Sequence, residues 1–122
     1  MEGCSKVLVS GGAGFVGSHL VDRLLAEGFE VWVLDDFSVG RMENISHHKD
    51  LREFHLVRGD VRDFGLVEKV VGGVDVVFHL AALVDVALSV EDPVLFDEVN
   101  VVGTLNLLRA CLGSDVKRFV FA

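Results

Sequence analysis

The sequence predicts an α/β fold in which a doubly wound parallel sheet is covered by helices on both faces. Short apolar runs rich in valine and leucine alternate with longer stretches of helical period, and a glycine-rich turn follows the first run. Nearly continuous apolar strands are typical of a sheet that is buried on both faces. Because crossovers between parallel strands are right-handed, we expect about five strands in the order 3-2-1-4-5.

The five predicted strands are short and mostly apolar; they are Lys6–Ser10, Glu30–Asp35, Phe54–Arg58, Asp75–Leu80 and Lys117–Phe121. An apolar stripe predicts a helix between the first two strands, ended by Gly28. Asp63 is predicted to cap a short helix that runs through Val71. Pro93 is predicted to open a long helix that ends near Leu112.

Composition limits the classes of protein that this chain can belong to. Its 122 residues are 51% hydrophobic with one proline, which indicates one domain spanning residues 1–122. A net charge of -8 disfavours nucleic acid and anionic membranes as partners. The sequence shows neither a membrane-spanning run nor a signal peptide pattern, so we expect a cytoplasmic location. Cys4 and Cys111 are too far apart for a local redox pair, and we expect inert thiols.

A glycine motif follows the first predicted strand and opens the first helix. Gly12, Gly14 and Gly17 fit the spacing G-x-G-x-x-G, and Gly11, Gly14 and Gly17 fit the overlapping spacing G-x-x-G-x-x-G. Such a turn lets a pyrophosphate lie against the backbone and face the amides at a helix N-terminus. We expect Gly17 to let the helix approach the sheet closely.

Two acids end the second strand. A carboxylate at the position of Asp35 accepts hydrogen bonds from the adenosine ribose and repels the extra phosphate of NADP. Asp36 adds a second negative charge, although Arg41 follows and could in principle hold that phosphate. The pattern therefore predicts a Rossmann-type domain whose cofactor is NAD.

Several segments together resemble the extended short-chain dehydrogenase/reductase family, and within it the nucleotide-sugar 4-epimerases and 4,6-dehydratases. They are Gly11–Leu20, Leu34–Ser38, Gly40–Arg41, Glu43–Ile45, Gly59–Asp63, Phe78–Ala82 and Asn100–Thr104. In such enzymes, a hydride passes from the sugar to tightly held NAD and returns after rotation or water loss.

The resemblance implies roles at the adenosine end of the cofactor. The amides of Phe15 and Val16 would meet the pyrophosphate, and Asp35 would bind the ribose. Asp60 and Val61 would meet the adenine.

It also implies roles further along the cofactor. Leu80, Ala81 and Ala82 would line the groove, and Asn100 would lie near the nicotinamide end. The first three follow the fourth predicted strand, so they reach the carboxyl edge where ligands of open α/β sheets bind.

The catalytic part of the family pattern has no counterpart in this sequence. The family places a Tyr-x-x-x-Lys pair after the strand that ends here at Ala122, and the chain has no tyrosine. We therefore expect no catalytic residues here, and a nucleotide sugar as a partner only if a C-terminal half is present. The alternative is a free-standing, non-catalytic module that binds dinucleotides or senses redox state.

His47, His48, Asp50 and His55 have a faintly metal-like composition. Because adjacent histidines rarely converge on one ion, we expect a solvated loop and no metal. His79 is expected to be a packed histidine at a strand end rather than a base.

Surplus apolar surface on the last helix, at Leu95, Val99 and Val102, suggests a second packing partner. Strand Lys117–Phe121 is predicted to form an open sheet edge. We therefore expect a homodimer or a higher species, held through this helix, through strand Lys117–Phe121 or through both.

Overall fold

The computed structural model describes residues 5–122, and its centre is a parallel five-stranded sheet. The strands are β1 Lys6–Ser10, β2 Glu30–Asp35, β3 Phe54–Arg58, β4 Val76–His79 and β5 Arg118–Phe121. Their order in the sheet is β3-β2-β1-β4-β5. In register, Val7 of β1 lies opposite Val31 of β2 on one side and Val76 of β4 on the other. The predicted fold class and strand order are confirmed.

Five α-helices, two 3-10 turns and one π-helical turn connect the strands within the described residues. The helices are α1 Phe15–Ala26, α2 Phe64–Val71, α3 Val86–Glu91, α4 Pro93–Asp97 and α5 Gly103–Leu112. Two 3-10 turns, Met42–Asn44 and Ser46–His48, lie between β2 and β3, and a π-helical turn, Glu98–Val102, joins α4 to α5.

The core lies on both faces of the sheet. Val7 and Val9 of β1 pack on the face covered by α1, together with Val21 of that helix. Leu8, between them in sequence, packs on the opposite face with Leu107 of α5. Because successive side chains of a strand point to opposite faces, complete burial of all three β1 residues requires helices on both sides.

The structure corrects the bounds of two strands and the organisation of the last helical segment. Asp75, Leu80 and Lys117 lie just outside the strands to which they were assigned. The single helix predicted from Pro93 is divided by the π-helical turn. Helix α3 was not predicted; its signal is Asp85, whose carboxylate accepts hydrogen bonds from the first amides of the helix.

The predicted cap at Asp63 is confirmed, since its side chain accepts a hydrogen bond from the amide of Leu66 at 3.2 Å. Within residues 5–122, the helices are too short or too polar to cross a membrane. Burial raises the pKa of the Cys111 thiol, which favours its protonated form. Cys4 lies outside the described residues.

Candidate functional site

The carboxyl ends of β1 to β4 border one cleft. The predicted site residues that line it are Gly11, Gly14, Asp35, Asp36, Asp60, Val61, Leu80, Ala81 and Ala82. The sheet brings them together because parallel strands end at one edge. Phe15, Val16, Gly17 and Asn100 lie outside this lining.

Gly11 sits where the turn after β1 meets the end of β4. Its φ of 74° is in the left-handed region, and a β-carbon there would lie 2.8 Å from the amide nitrogen of Ala81. Its carbonyl accepts a hydrogen bond from the amide of Gly14 at 3.1 Å. A side chain at Gly11 would therefore strain the turn and displace the segment that follows β4.

The close approach predicted for Gly17 is present, but it is to the glycine-rich turn directly after β1 rather than to a strand of the sheet. A β-carbon at Gly17 would lie 2.1 Å from the carbonyl oxygen of Gly11, so Gly17 packs on the turn itself. Gly12 is the residue in contact with the sheet, because a β-carbon there would lie 2.7 Å from a methyl group of Val33 on β2. The spacing of glycines in the sequence does not show which of them contacts the sheet and which contacts the glycine-rich turn.

Gly14 precedes α1 and faces the cleft. Among the described residues, a β-carbon there would approach only the carbonyl oxygen of Gly11, at 3.3 Å, and would otherwise enter open space. Phe15 and Val16, the first two residues of α1, are 80% and 64% exposed, so the start of the helix is open to solvent. This open space beside a helix N-terminus can accept a phosphate group against the backbone.

Asp35 is buried, with 7% of its surface exposed, at the end of β2. One carboxylate oxygen, Oδ2, accepts a hydrogen bond from the amide of Ala13 at 2.9 Å, and Oδ1 accepts one from the amide of Phe37 at 2.8 Å. The carboxylate is thus fixed between the glycine-rich turn and the loop after β2. Each oxygen has a further lone pair available to a ligand hydroxyl.

Gly40 also lines the cleft and was not predicted as a site residue. A β-carbon there would lie 2.9 Å from Oδ2 of Asp35 and 2.8 Å from the carbonyl carbon of Ala13. The next amide, of Arg41, donates a hydrogen bond to the carbonyl of Ala13 at 3.0 Å. A glycine shortly after a strand-end acid is the sequence signal for this close approach.

Asp60 follows β3 and forms an ion-pair network at the other end of the cleft. Arg62 donates to it from its backbone amide at 2.9 Å and from its guanidinium at 2.6 Å, and also contacts Glu98 at 3.2 Å. The hydrogen bonds from Arg62 hold the pKa of Asp60 below its usual range. The carboxylate is therefore ionised and fixed in orientation, ready to accept hydrogen bonds.

His79 ends β4 beneath the cleft and is buried, in agreement with the sequence interpretation. The Ser10 hydroxyl oxygen accepts hydrogen bonds from the amides of Leu80 and Ala81, so its hydrogen is free to be donated to Nδ1 of His79, at 2.6 Å. Nε2 of His79 then donates to the hydroxyl of Thr104 at 2.8 Å. Burial lowers the pKa of His79 to about 4, so a neutral ring links the end of β1, β4 and α5.

Asn100 is bonded to a neighbouring loop rather than exposed in the cleft. Its side-chain oxygen accepts a hydrogen bond from the amide of Leu83 at 2.8 Å, and its nitrogen donates to the carbonyl of the same residue at 2.8 Å. Leu83 lines the cleft. Asn100 therefore positions the loop after β4.

Comparisons with known proteins agree with this geometry. The family model described as NAD dependent epimerase/dehydratase family matches residues 7–122. UDP-glucose 4-epimerase from Mycolicibacterium smegmatis is 44% identical over 116 residues, which are 94% of this chain and 37% of that protein. UDP-glucuronic acid decarboxylase 4 from Arabidopsis thaliana is 48% identical over 103 residues, which are 84% of this chain and 22% of that protein.

Solved structures give the same result. UDP-glucose 4-epimerase from Thermus thermophilus in complex with NAD superimposes with a TM-score of 0.83 at 46% identity, over 95% of this chain and 36% of that one. dTDP-glucose 4,6-dehydratase from Streptomyces venezuelae with NAD bound has a TM-score of 0.87 at 38% identity, over 93% of this chain and 38% of that one. The chain thus spans less than two-fifths of these relatives, and it belongs to the NAD dependent epimerase/dehydratase family.

Proposed function

We propose that this chain binds NAD along the cleft and supplies the cofactor-binding part of an oxidoreductase that acts on nucleotide sugars. The observation that carries the proposal is the buried carboxylate of Asp35, which faces the same cleft as Gly14 and Asp60. Bound NAD would supply a hydride acceptor and donor, and the residues of this chain would hold and orient it.

The pyrophosphate would lie beside Gly14, against the first turn of α1. The partial positive charge of the helix N-terminus favours an anion there, and the amides of Phe15 and Val16 belong to that turn. A side chain at Gly14 would occupy the space that the phosphate needs.

The adenosine ribose would lie at Asp35. The remaining lone pairs of this carboxylate can accept hydrogen bonds from the two ribose hydroxyls, whereas a 2′-phosphate would meet a buried negative charge with Asp36 beside it. We expect NAD to bind more tightly than NADP by about 1 to 3 kcal/mol, the range for a charged hydrogen bond that is made or blocked.

The adenine would lie near Asp60 and Val61, which line the cleft after β3. The ionised carboxylate of Asp60 can accept a hydrogen bond from the adenine amino group, and Arg62 keeps it in place. The nicotinamide would extend past Ala81 toward the loop that Asn100 holds.

The proposal assigns no proton transfer to this chain. The hydroxyl that a tyrosine would provide is missing from a sequence with no tyrosine, and the buried neutral ring of His79 is bonded at both nitrogens. The 122 residues by themselves should therefore bind NAD without converting any nucleotide sugar.

Isothermal titration calorimetry of the 122-residue chain with NAD and with NADP tests the proposal. Asp35→Asn should narrow the difference between the two affinities, and Asp50→Asn, on the exposed loop before β3, is the matched control. Gly14→Ala should weaken binding of both cofactors. Gly73→Ala is its control, because a β-carbon at Gly73 has no neighbour within 4 Å among the described residues. Equal affinity for NADP, or unchanged NAD binding by Gly14→Ala, would contradict the proposed geometry.

A further inference from the structure

A cluster of three potential metal ligands lies outside the cleft. Asp22 projects from α1, and His47 and His48 lie in the 3-10 turn Ser46–His48. Oδ1 of Asp22 is 3.2 Å from Nε2 of His47 and 2.5 Å from Nε2 of His48. All three candidate ligand atoms lie within 4.8 Å of one another.

The 3-10 turn brings the two adjacent histidines together, contrary to the expectation from the sequence. The amide of His48 donates to the carbonyl of Ile45 at 3.0 Å, and the completely buried Ile45 fixes the turn to the core. In this tight turn the two imidazole centroids are 3.9 Å apart, with both Nε2 atoms directed at Asp22. The partner carboxylate is distant in sequence, so spacing within the loop does not reveal the cluster.

The cluster is partly ordered before any ion binds. The side chain of His48 is 12% exposed, and its ring lies 5.7 Å from that of Phe54, centroid to centroid. The side chains of His47 and Asp22 are about half exposed, at 55% and 49%, so an ion can enter from solvent. One mostly covered ligand, His48, and two accessible ligands can close around an ion with little backbone movement.

We propose that Asp22, His47 and His48 form a binding site for a divalent transition metal ion such as Zn²⁺. Two imidazole nitrogens and one carboxylate oxygen are a donor set that suits Zn²⁺, Ni²⁺ or Cu²⁺ and not Mg²⁺ or Ca²⁺, which prefer oxygen ligands throughout. Water completes the coordination.

The distances support this assignment. Ligands of a tetrahedral zinc ion with bonds of about 2.0 to 2.1 Å lie about 3.3 Å from one another. The Asp22–His47 separation of 3.2 Å is close to this value. The Asp22–His48 separation of 2.5 Å would have to open, which rotation of the half-exposed Asp22 side chain allows.

Metal binding would tie α1 to the loop between β2 and β3. That loop also contacts the glycine-rich turn, since Nδ2 of Asn44 donates to the carbonyl of Ala13 at 2.8 Å. An ion that joins elements distant in sequence binds the folded chain and not the unfolded one, so it stabilises the fold.

The test is titration of the tag-free, chelator-treated chain with ZnCl₂ by calorimetry, together with thermal unfolding with and without the ion. We expect one saturable equivalent of Zn²⁺ and a rise in Tm. Asp22→Asn and His47→Gln should each weaken binding by about tenfold or more and remove most of the rise in Tm. His19→Gln is the matched control, because His19 is an exposed histidine on the same helix and is bonded to the carbonyl of Phe15.

Two results would overturn the proposal. One is the absence of saturable Zn²⁺ binding by the wild-type chain. The other is binding by His47→Gln and Asp22→Asn as tight as that of wild type, which would place the ion elsewhere. Since both side chains are about half exposed, these variants should fold, and far-UV circular dichroism verifies that they do. Titration with CoCl₂ adds a structural readout, because the visible absorption of bound Co²⁺ reports coordination by imidazole.

Discussion

Acidification should destabilise this protein through His79 before its carboxylates are protonated. The ring is buried between the hydroxyls of Ser10 and Thr104, and Phe121 stacks on it at 5.5 Å between centroids. Protonation would place a charge in this apolar environment and would disrupt the bond in which Nδ1 accepts from Ser10. The folded chain therefore resists protonation, and burial lowers the pKa of His79 to about 4 from 6.5.

The sign and size of the effect follow from this difference. Below pH 6.5 the unfolded chain binds a proton that the folded chain does not, so stability falls as the pH falls, until the folded chain also titrates near pH 4. Each pKa unit of difference between the folded and the unfolded chain changes the free energy of unfolding by up to about 1.4 kcal/mol. Between pH 7.5 and pH 5, His79 alone should lower the free energy of unfolding by about 2 kcal/mol.

The carboxylates change the stability of the fold at a lower pH than His79 does. Hydrogen bonds from Arg62 lower the pKa of Asp60, and those from the amides of Ser5 and Lys6 lower that of Asp75. Their stabilising contributions are present above the usual pKa of 3.8 and are lost as the pH falls through the still lower values of the folded chain. The interval from pH 7.5 to pH 5 therefore reports mainly on histidine.

Urea unfolding of wild type, His79→Gln and His19→Gln at pH 7.5 and pH 5 measures the effect. Glutamine does not titrate, so His79→Gln should lose about 2 kcal/mol less than wild type on acidification, even if it is less stable at pH 7.5. The exposed control His19→Gln should keep the wild-type loss. Equal losses in wild type and His79→Gln would refute the buried, neutral histidine.

Two further results are expected. In urea unfolding, Gly12→Ala should lower the free energy of unfolding by about 1 to 3 kcal/mol, because the added methyl group would overlap the buried Val33. The control Gly73→Ala should stay within about 0.5 kcal/mol of wild type in the same assay. Sedimentation equilibrium at micromolar concentration should show a homodimer for wild type and a monomer for Val102→Glu, since Val102 contributes exposed apolar surface. A wild type that remains monomeric at about 100 micromolar would contradict the expected dimer.

Site residues could be predicted from the sequence where they belong to a short motif at or just after the end of a strand. Gly11, Gly14 and Asp60 follow predicted strands and Asp35 ends one, and a parallel sheet places all such ends at one edge. Strand order followed from apolar runs and the handedness of crossovers. These features depend on local pattern and topology, which one sequence contains.

Contacts between segments distant in sequence could not be predicted. The partner of Asn100 is the backbone of Leu83, and backbone groups leave no trace in a sequence pattern. The cluster of Asp22 with two loop histidines depends on how a 3-10 turn rests on α1. The different roles of Gly12 and Gly17 depend on the path of a turn of a few residues.

Asp35 shows why the parts of the cleft should act together. Its two oxygens are already hydrogen-bonded to the backbone of Ala13, in the glycine-rich turn, and of Phe37, in the loop after β2. Phe37 has a φ of 62°, an unfavourable value for a residue with a side chain, and its bond to Asp35 helps to hold it there. The carboxylate that would select the ribose therefore also shapes the turn that would receive the pyrophosphate. A substitution at Asp35 should consequently weaken NAD binding at both places, and the loss of affinity should exceed that of a single ribose hydrogen bond.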